Sequence, residues 1–309
     1  MIPAAEVSID ADLVYRLLRE QAPRLATLEL RPAAAGWDNQ MFRLGTELAV
    51  RLPRRESAVP LLLNEASWAA KLAGRLPLPV PVPVFQGSPG GGYPFPWLIT
   101  NWLEGEPATG LCATRRDGYA AGLAAFLAAF HTAEGAEAAP VNDFRGVPVG
   151  HRVGVWRDRL ASAEHILTPA QRLALASAMD DAEAAERWRG APLWLHGDPH
   201  PMNVLASGPE ERLREGAEAV PKPATLTAVL DLGDLTAGDP ASDLGAAWVH
   251  FTPRGRVDFL AEYRRLTRRG DEALWARARG WGASYLLAMH ADPSPLGDSA
   301  RLALAHFDR

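Results

Sequence analysis

Two short polar segments, each entered from an apolar run, restrict the fold of this chain more than any other feature. The first is His196-Gly197-Asp198-Pro199-His200-Pro201-Met202-Asn203, preceded by the apolar residues 192–195; the second is Asp231-Leu232-Gly233-Asp234, preceded by Val229-Leu230. Short apolar runs bounded by Gly, Pro, Asn and Asp read as strands that end in loops. Pro199 and Pro201 fix their own φ and restrict the residue before each, so the first loop is stiff. Either segment alone could be an ordinary turn, because Asp and Asn suit turns. An Asp with a His two residues before it and an Asn five after it, followed downstream by Asp-x-Gly, is instead a spacing with a chemical use.

Moving the terminal phosphoryl group of a nucleotide needs a carboxylate that orients the attacking hydroxyl and accepts its proton. It also needs oxygen ligands for a Mg²⁺ ion bridging the phosphates. Asp198 suits the first task, and Asn203 with Asp231 the second. Mg²⁺ is a hard cation that keeps several waters and takes few protein oxygens, so one amide and one carboxylate from separate loops suffice. His196 would hold the loop by hydrogen bonding.

On these residues the chain resembles the aminoglycoside phosphotransferase family, relatives of the protein kinases. His196-Gly197-Asp198, His200-Pro201 and Asn203 follow that family's form of the catalytic loop, and Gly238-Asp239-Pro240 with Asp243-Leu244 follow its segment after the metal-binding Asp. The likeness extends over nearly the whole chain. It implies an α+β, two-lobe, protein-kinase-like fold: a small antiparallel-sheet N-lobe over residues 1–101 and a larger, mostly helical C-lobe over 102–309. It implies Asp198 as catalytic base, Asn203 and Asp231 on magnesium, and Asp243 bracing the loop from the following helix, with His196 and His200 as loop support.

Composition fits such an enzyme. With 309 residues, 48% apolar and 22% charged, the chain can bury a large core and has the length for two lobes. A net charge of −5 argues against a nucleic-acid partner, which requires a basic face. Cys112 is the only cysteine, so no intramolecular disulfide forms and a reducing cytoplasm is the expected setting. Residues 1–20 carry acids rather than a basic stretch before an apolar core, and no run is long enough to span a bilayer.

Along the chain, residues 12–21 carry Leu13, Val14, Leu17 and Leu18 at helical spacing, with Ser8 or Asp10 as cap. Alternation over 26–31 predicts a strand, and 41–44 and 48–52 two more, before a helix over 58–76 with Pro60 in its first turn. The turn Gly36-Trp37-Asp38-Asn39 would offer backbone N–H groups to the phosphates, Gly36 and Asn39 marking its ends. Kinases place a lysine on the third strand, paired with a helix glutamate. The two lysines, Lys71 and Lys222, are elsewhere; Arg51 takes that position and Glu65 lies on the following helix. Arginine keeps the charge but binds phosphate through a planar fork. An Arg there resembles the family's macrolide-modifying branch, whereas Asn203 resembles its aminoglycoside enzymes. Residues 94–102 predict a strand leading to Asn101 and Leu103, by resemblance the hinge whose backbone would bind the base of ATP or GTP. Helices are expected over 118–133, 153–165, 169–187, 243–251 and 258–268, and His131 reads as a core or capping residue.

The acceptor is a small molecule bearing a hydroxyl, with an aminoglycoside-type antibiotic the leading expectation. Such a polycation needs further carboxylates, for which Asp234, Asp158 and Glu262 are candidates; a macrolide would need an apolar pocket, for which Trp156, Trp248, Trp275 and Trp281 are available. Amino alcohols and sugars are further acceptors of relatives. The polar stretch 207–223 reads as an exposed insertion, with a lid as the alternative. Two other classes compete: a metal-dependent hydrolase using His196, Asp198, His200 and Asp231 as ligands, and a catalytically silent nucleotide-binding regulator.

Overall fold

The computed structural model describes residues 3–207 and 222–308, so most of the predicted insertion at 207–223 lies outside the described residues. Its contacts divide the chain into two compact units. One comprises Met1–Gly74, Pro79–Glu104 and Asp231–Gly233; the other comprises Arg75–Leu78, Gly105–Leu230 and Asp234–Arg309. The first is built on an antiparallel sheet and the second is mostly helical, an α+β, two-lobe organisation.

In the first unit, helix α1 (Ala11–Gln21) starts at Asp10, whose Oδ1 accepts the Leu13 N–H at 2.8 Å and satisfies one of the free donors of the first turn. Leu13, Val14, Leu17 and Leu18 bury one helix face against Leu30, Phe42, Val50, Leu52, Trp97 and Ile99 of the sheet. The strands are β1 (Leu30–Ala35), β2 (Asn39–Leu44), β3 (Leu48–Pro53), β4 (Pro83–Gly87) and β5 (Trp97–Asn101), in the order β1-β2-β3-β5-β4 with every neighbour antiparallel. β3 is central, and Arg51 lies in register with Met41 on one side and Leu98 on the other. Helix α2 (Val59–Ala73) buries Leu62, Glu65, Ala69 and Leu72 along one face, which places Glu65 among apolar neighbours.

Several boundaries differ from those the sequence predicts. The strand expected over 26–31 begins only at Leu30; before it, Leu25, Ala26 and Leu28 donate their N–H groups to Ala22, Pro23 and Leu25 in successive turns. Ala26 and Leu28 still pack on the core from those turns, so their alternation reflects burial rather than a strand. β4 was not foreseen, because prolines 79, 81 and 83 mask it; as an edge strand it tolerates Pro83. The strand expected over 94–102 covers Trp97–Asn101, and α2 stops before Gly74.

The second unit contains β6 (Glu106–Pro107), α3 (Ala113–Arg116), α4 (Ala120–Phe130), α5 (Val153–Ser162), α6 (Pro169–Ala184), β7 (Leu193–Leu195), β8 (Val204–Ser207), β9 (Thr225–Val229) and β10 (Thr236–Gly238). It ends with α7 (Ala241–Leu244), α8 (Ala246–His250), α9 (Pro253–Thr267), α10 (Glu272–Met289) and α11 (Pro295–Leu304). β7 pairs with β10, and β8 lies between β6 and β9. α4 is apolar nearly all round and packs on α9, while α10 packs on α6 and α7. The single helix expected over 243–251 is the pair α7 and α8, separated at Gly245. A Cβ on Gly245 would lie 2.8 Å from the Gly282 nitrogen, so the glycine lets α10 approach. α9 begins five residues before the expected 258, with Pro253 at its first position.

Candidate active site

β7 delivers the chain to His196, and the loop that follows is fixed by buried acceptors. Asp243 Oδ2 accepts the His196 N–H at 2.7 Å and Oδ1 accepts the Gly197 N–H at 2.9 Å. His131, a core residue, meets Asp243 Oδ2 at 3.1 Å through Nε2 and the Tyr263 hydroxyl at 2.8 Å through Nδ1. The His196 ring donates from Nε2 to the Leu230 carbonyl at 2.9 Å and accepts the Asp198 N–H on Nδ1 at 3.2 Å. Gly197 has φ of +92°, and a Cβ there would sit 2.2 Å from the Asp234 carbonyl oxygen, so only glycine fits.

The second half of the loop is held by His250 and Asn203. His250 donates from Nε2 to the Pro199 carbonyl at 2.9 Å and accepts from the Tyr119 hydroxyl on Nδ1 at 2.9 Å. Burial, with the nearby Arg116 charge, holds His250 down to about 3, in keeping with this neutral tautomer. Asn203 Nδ2 donates to the Asp198 carbonyl at 3.0 Å, which fixes the amide by its donor end; the oxygen end is the one a cation takes. The Leu230 N–H donates to the Asn203 carbonyl at 2.8 Å, tying the loop to the residue just before Asp231.

Asp198 itself faces positive groups. Oδ1 accepts from Arg145 Nη2 at 3.0 Å, and Oδ2 lies 3.4 Å from His200 Nε2. Burial alone would raise the carboxyl. Electrostatic attraction by His200 and Arg145, with the Arg145 hydrogen bond, more than reverses that and holds it below the ordinary carboxylate range.

In the first unit, Arg51 and Glu65 form a buried ion pair. Burial would lower Arg51, and the carboxylates of Glu65, Asp231 and Asp38 outweigh it and raise it. Glu65 Oε2 also accepts the Leu232 N–H at 3.2 Å, and Asn64 Nδ2 donates to the Gly233 carbonyl at 3.2 Å, so α2 clasps the 231–233 turn. Asp231 has φ of +62°, a left-handed conformation that Asp adopts more readily than most residues, and its Oδ1 accepts the Gly233 N–H at 3.2 Å. The 36–39 turn is closed by Gly36 N–H donating to the Asn39 carbonyl at 2.9 Å, and Asp38 pairs with Arg55 at 2.7 Å. Asn39 Oδ1 is buried without a hydrogen-bond partner among the described residues. Asn101 Oδ1 accepts the Val82 N–H at 2.5 Å, and Leu103 lies two residues past the end of β5.

Of the three acceptor-binding candidates, the structure joins Asp234 to the catalytic loop through Gly197, and Asn142 Nδ2 donates to Asp234 Oδ1 at 3.0 Å. Asp158 is exposed on α5, and Glu262 is engaged on both oxygens by Arg265 of α9 at 2.7 Å. Trp156 and Trp281 are buried against each other, ring centroids 5.0 Å apart, as core residues. Sequence reasoning missed Arg145, Asn142 and His250. A buried His closing an apolar helix was a usable sign for the last; nothing local marks the other two.

The two-lobe fold and the family match define a kinase-like phosphotransferase, an enzyme that transfers a phosphoryl group to a hydroxyl. The chain belongs to the phosphotransferase enzyme family, whose profile matches residues 29–281. No curated protein sequence matches it significantly. Among solved structures it is similar to the GDP complex of wild-type aminoglycoside 2'-phosphotransferase-IIIa, with TM-score 0.65 and 16% identity over 97% of this chain and 99% of that one. It is also similar to the GDP and kanamycin complex of APH(2")-IIia, with TM-score 0.63 and 17% identity over 95% and 97%. Macrolide 2'-phosphotransferase MphH from Brachybacterium faecium, as apoenzyme, gives TM-score 0.61 and 21% identity over 94% and 97%. At such identities the likeness speaks for the fold.

Proposed function

We propose that the chain moves the terminal phosphoryl group of ATP or GTP to a hydroxyl of a small molecule, with Asp198 as the proton acceptor. The observation that carries this reading is the placement of Asp198, paired with Arg145 on a loop whose backbone is held by Asp243, His250 and Asn203. Its low proton affinity suits a loose transition state, in which the hydroxyl proton leaves late and the base mainly orients the oxygen. Asn203 and Asp231 supply the oxygen donors for Mg²⁺, which when bound bridges and neutralises phosphate oxygens. Arg51, kept in place by Glu65, and the N–H groups of the 36–39 turn contact the phosphates; the backbone at Asn101 and Leu103 takes the base. The GDP complexes of similar structures support a nucleotide donor.

An aminoglycoside-type acceptor draws support from the kanamycin complex of one similar structure. The hydrolase reading is weaker, because both ring nitrogens of His196 are used on backbone groups, the Leu230 carbonyl and the Asp198 N–H. Among the described residues no group of three or more His, Cys, Asp or Glu could hold a metal ion. The test is Mg²⁺-dependent release of nucleoside diphosphate from ATP and from GTP across a panel of hydroxylated acceptors. Acceptor-dependent release that Asp231→Ala abolishes is the expected result. Release that needs no acceptor, or that survives this substitution, would contradict the assignment.

A further inference from the structure

The surroundings of Asp198 are those of an anion site rather than of a polycation site. Arg145, hydrogen-bonded to Asp198, lies with its guanidinium 5.3 Å from the Tyr285 ring centre. Its chain neighbour Phe144 carries the Arg152 guanidinium over its own ring at 5.1 Å. Arg152 stands at the N-terminus of α5, and Arg159 follows two helical turns later on the same face. Besides their burial, repulsion by Arg145 lowers both Arg152 and Arg159, and Arg152 further lowers Arg159, so the three lie within electrostatic reach of one another. Among the described residues neither Arg152 nor Arg159 has a carboxylate partner, and the Nε atoms of Arg145 and Arg152 are buried without a hydrogen-bond partner.

A chain with a net charge of −5 has paired its proton acceptor with Arg145, and Arg152 and Arg159 lie within electrostatic reach of that arginine. Like charges in a half-buried place weaken the fold, and such a cost is typical of a site that binds the opposite charge. Arginine charges at this place oppose a polycation, and among the described residues the further carboxylate that acts on Arg145 is Asp234, itself held by Asn142.

Resting on the phosphotransferase reading, we infer that the acceptor is a hydroxylated small molecule bearing an anionic oxygen group, carboxylate or phosphate, which Arg152 and Arg159 bind while Arg145 orients Asp198. In the transfer, the acceptor oxygen forms its bond to the terminal phosphorus and the bond from that phosphorus to the nucleoside diphosphate breaks. The hydroxyl proton passes to Asp198. Guanidinium forks match both anion types, which is why the arginines do not distinguish them.

The experiment measures acceptor-dependent diphosphate release by the full chain with Mg²⁺ and ATP or GTP, using gluconate, glucose 6-phosphate, glucose, choline and kanamycin. Equilibrium binding of gluconate and of glucose 6-phosphate to the nucleotide-loaded protein is followed in parallel. Stimulation by gluconate or by glucose 6-phosphate, with KM raised roughly tenfold or more in Arg152→Gln and Arg159→Gln, supports the inference and separates the carboxylate from the phosphate source. Phosphorylation of kanamycin or choline with KM unchanged or lowered in those variants would overturn it. So would failure of both anions to bind while Mg²⁺ and nucleotide still do; the phosphotransferase reading would then stand without it. Failure of nucleotide to bind at all, or normal turnover by Asp198→Asn, would defeat that underlying reading instead.

Discussion

At the scale of single residues, Asp243 fixes the loop that starts at His196, because two backbone donors and a histidine converge on its buried carboxylate. Asp243→Ala strands those donors at about 1–3 kcal/mol each, so a loss of roughly 3 kcal/mol or more in denaturant unfolding is expected, with turnover lost as well. His250 gives a second expectation. Its folded value of about 3 lies below the unfolded value near 6.5, so between these the unfolded chain binds more protons. Its contribution is therefore complete above about pH 6.5 and is lost as pH falls toward 3, with a slope of up to about 1.4 kcal/mol per pH unit from this one group. His250→Gln keeps a donor and an acceptor without titrating, so stability measured from pH 7 to pH 4 should fall less steeply in that variant. The loop that carries Asp198 and Asn203 and the turn at Asp231 were legible in the sequence because each is short and follows a strand. Arg145 and His250 were not: they reach the loop across 53 and 51 residues, through contacts that no local pattern encodes.

At the scale of elements, close helix packing replaces side-chain volume where α10 meets α7 and α8. A Cβ on Gly282 would lie 2.8 Å from the Trp248 Cβ and 3.0 Å from the Gly245 carbonyl oxygen. Gly282→Ala should therefore overpack the contact by about 1–3 kcal/mol, seen as a Tm several degrees lower, whereas Gly150→Ala, with open space at its Cβ, should leave Tm nearly unchanged. α1, with its periodic apolar face, and α4, apolar nearly all round, were readable from the sequence alone. β1 and β4 were displaced or hidden because Ala26 and Leu28 bury from turns and because prolines disguise an edge strand. Arg51 and Glu65 could be paired from sequence through the kinase pattern of a third-strand cation and a helix glutamate; that Glu65 also clasps the 231–233 turn required the fold.

At the scale of the whole molecule, no described helix is long and apolar enough to cross a membrane. Mg²⁺ and nucleotide together should stabilise the folded chain by about 2.7 kcal/mol when nucleotide stands at a hundred times its Kd. Thermal unfolding with and without Mg²⁺ should show that gain in the wild type and lose its metal dependence in Asp231→Ala. Removing one partner of the buried pair in Arg51→Ala should cost about 3–5 kcal/mol and leave nucleotide binding weakened even where the chain folds. The central claim is that Asp198 is the proton acceptor of a phosphoryl transfer. Its most direct test is a single-turnover measurement of phosphoryl transfer by Asp198→Asn beside nucleotide binding by the same variant. The account predicts transfer reduced by roughly a hundredfold or more with nucleotide affinity retained; near-normal transfer would contradict it.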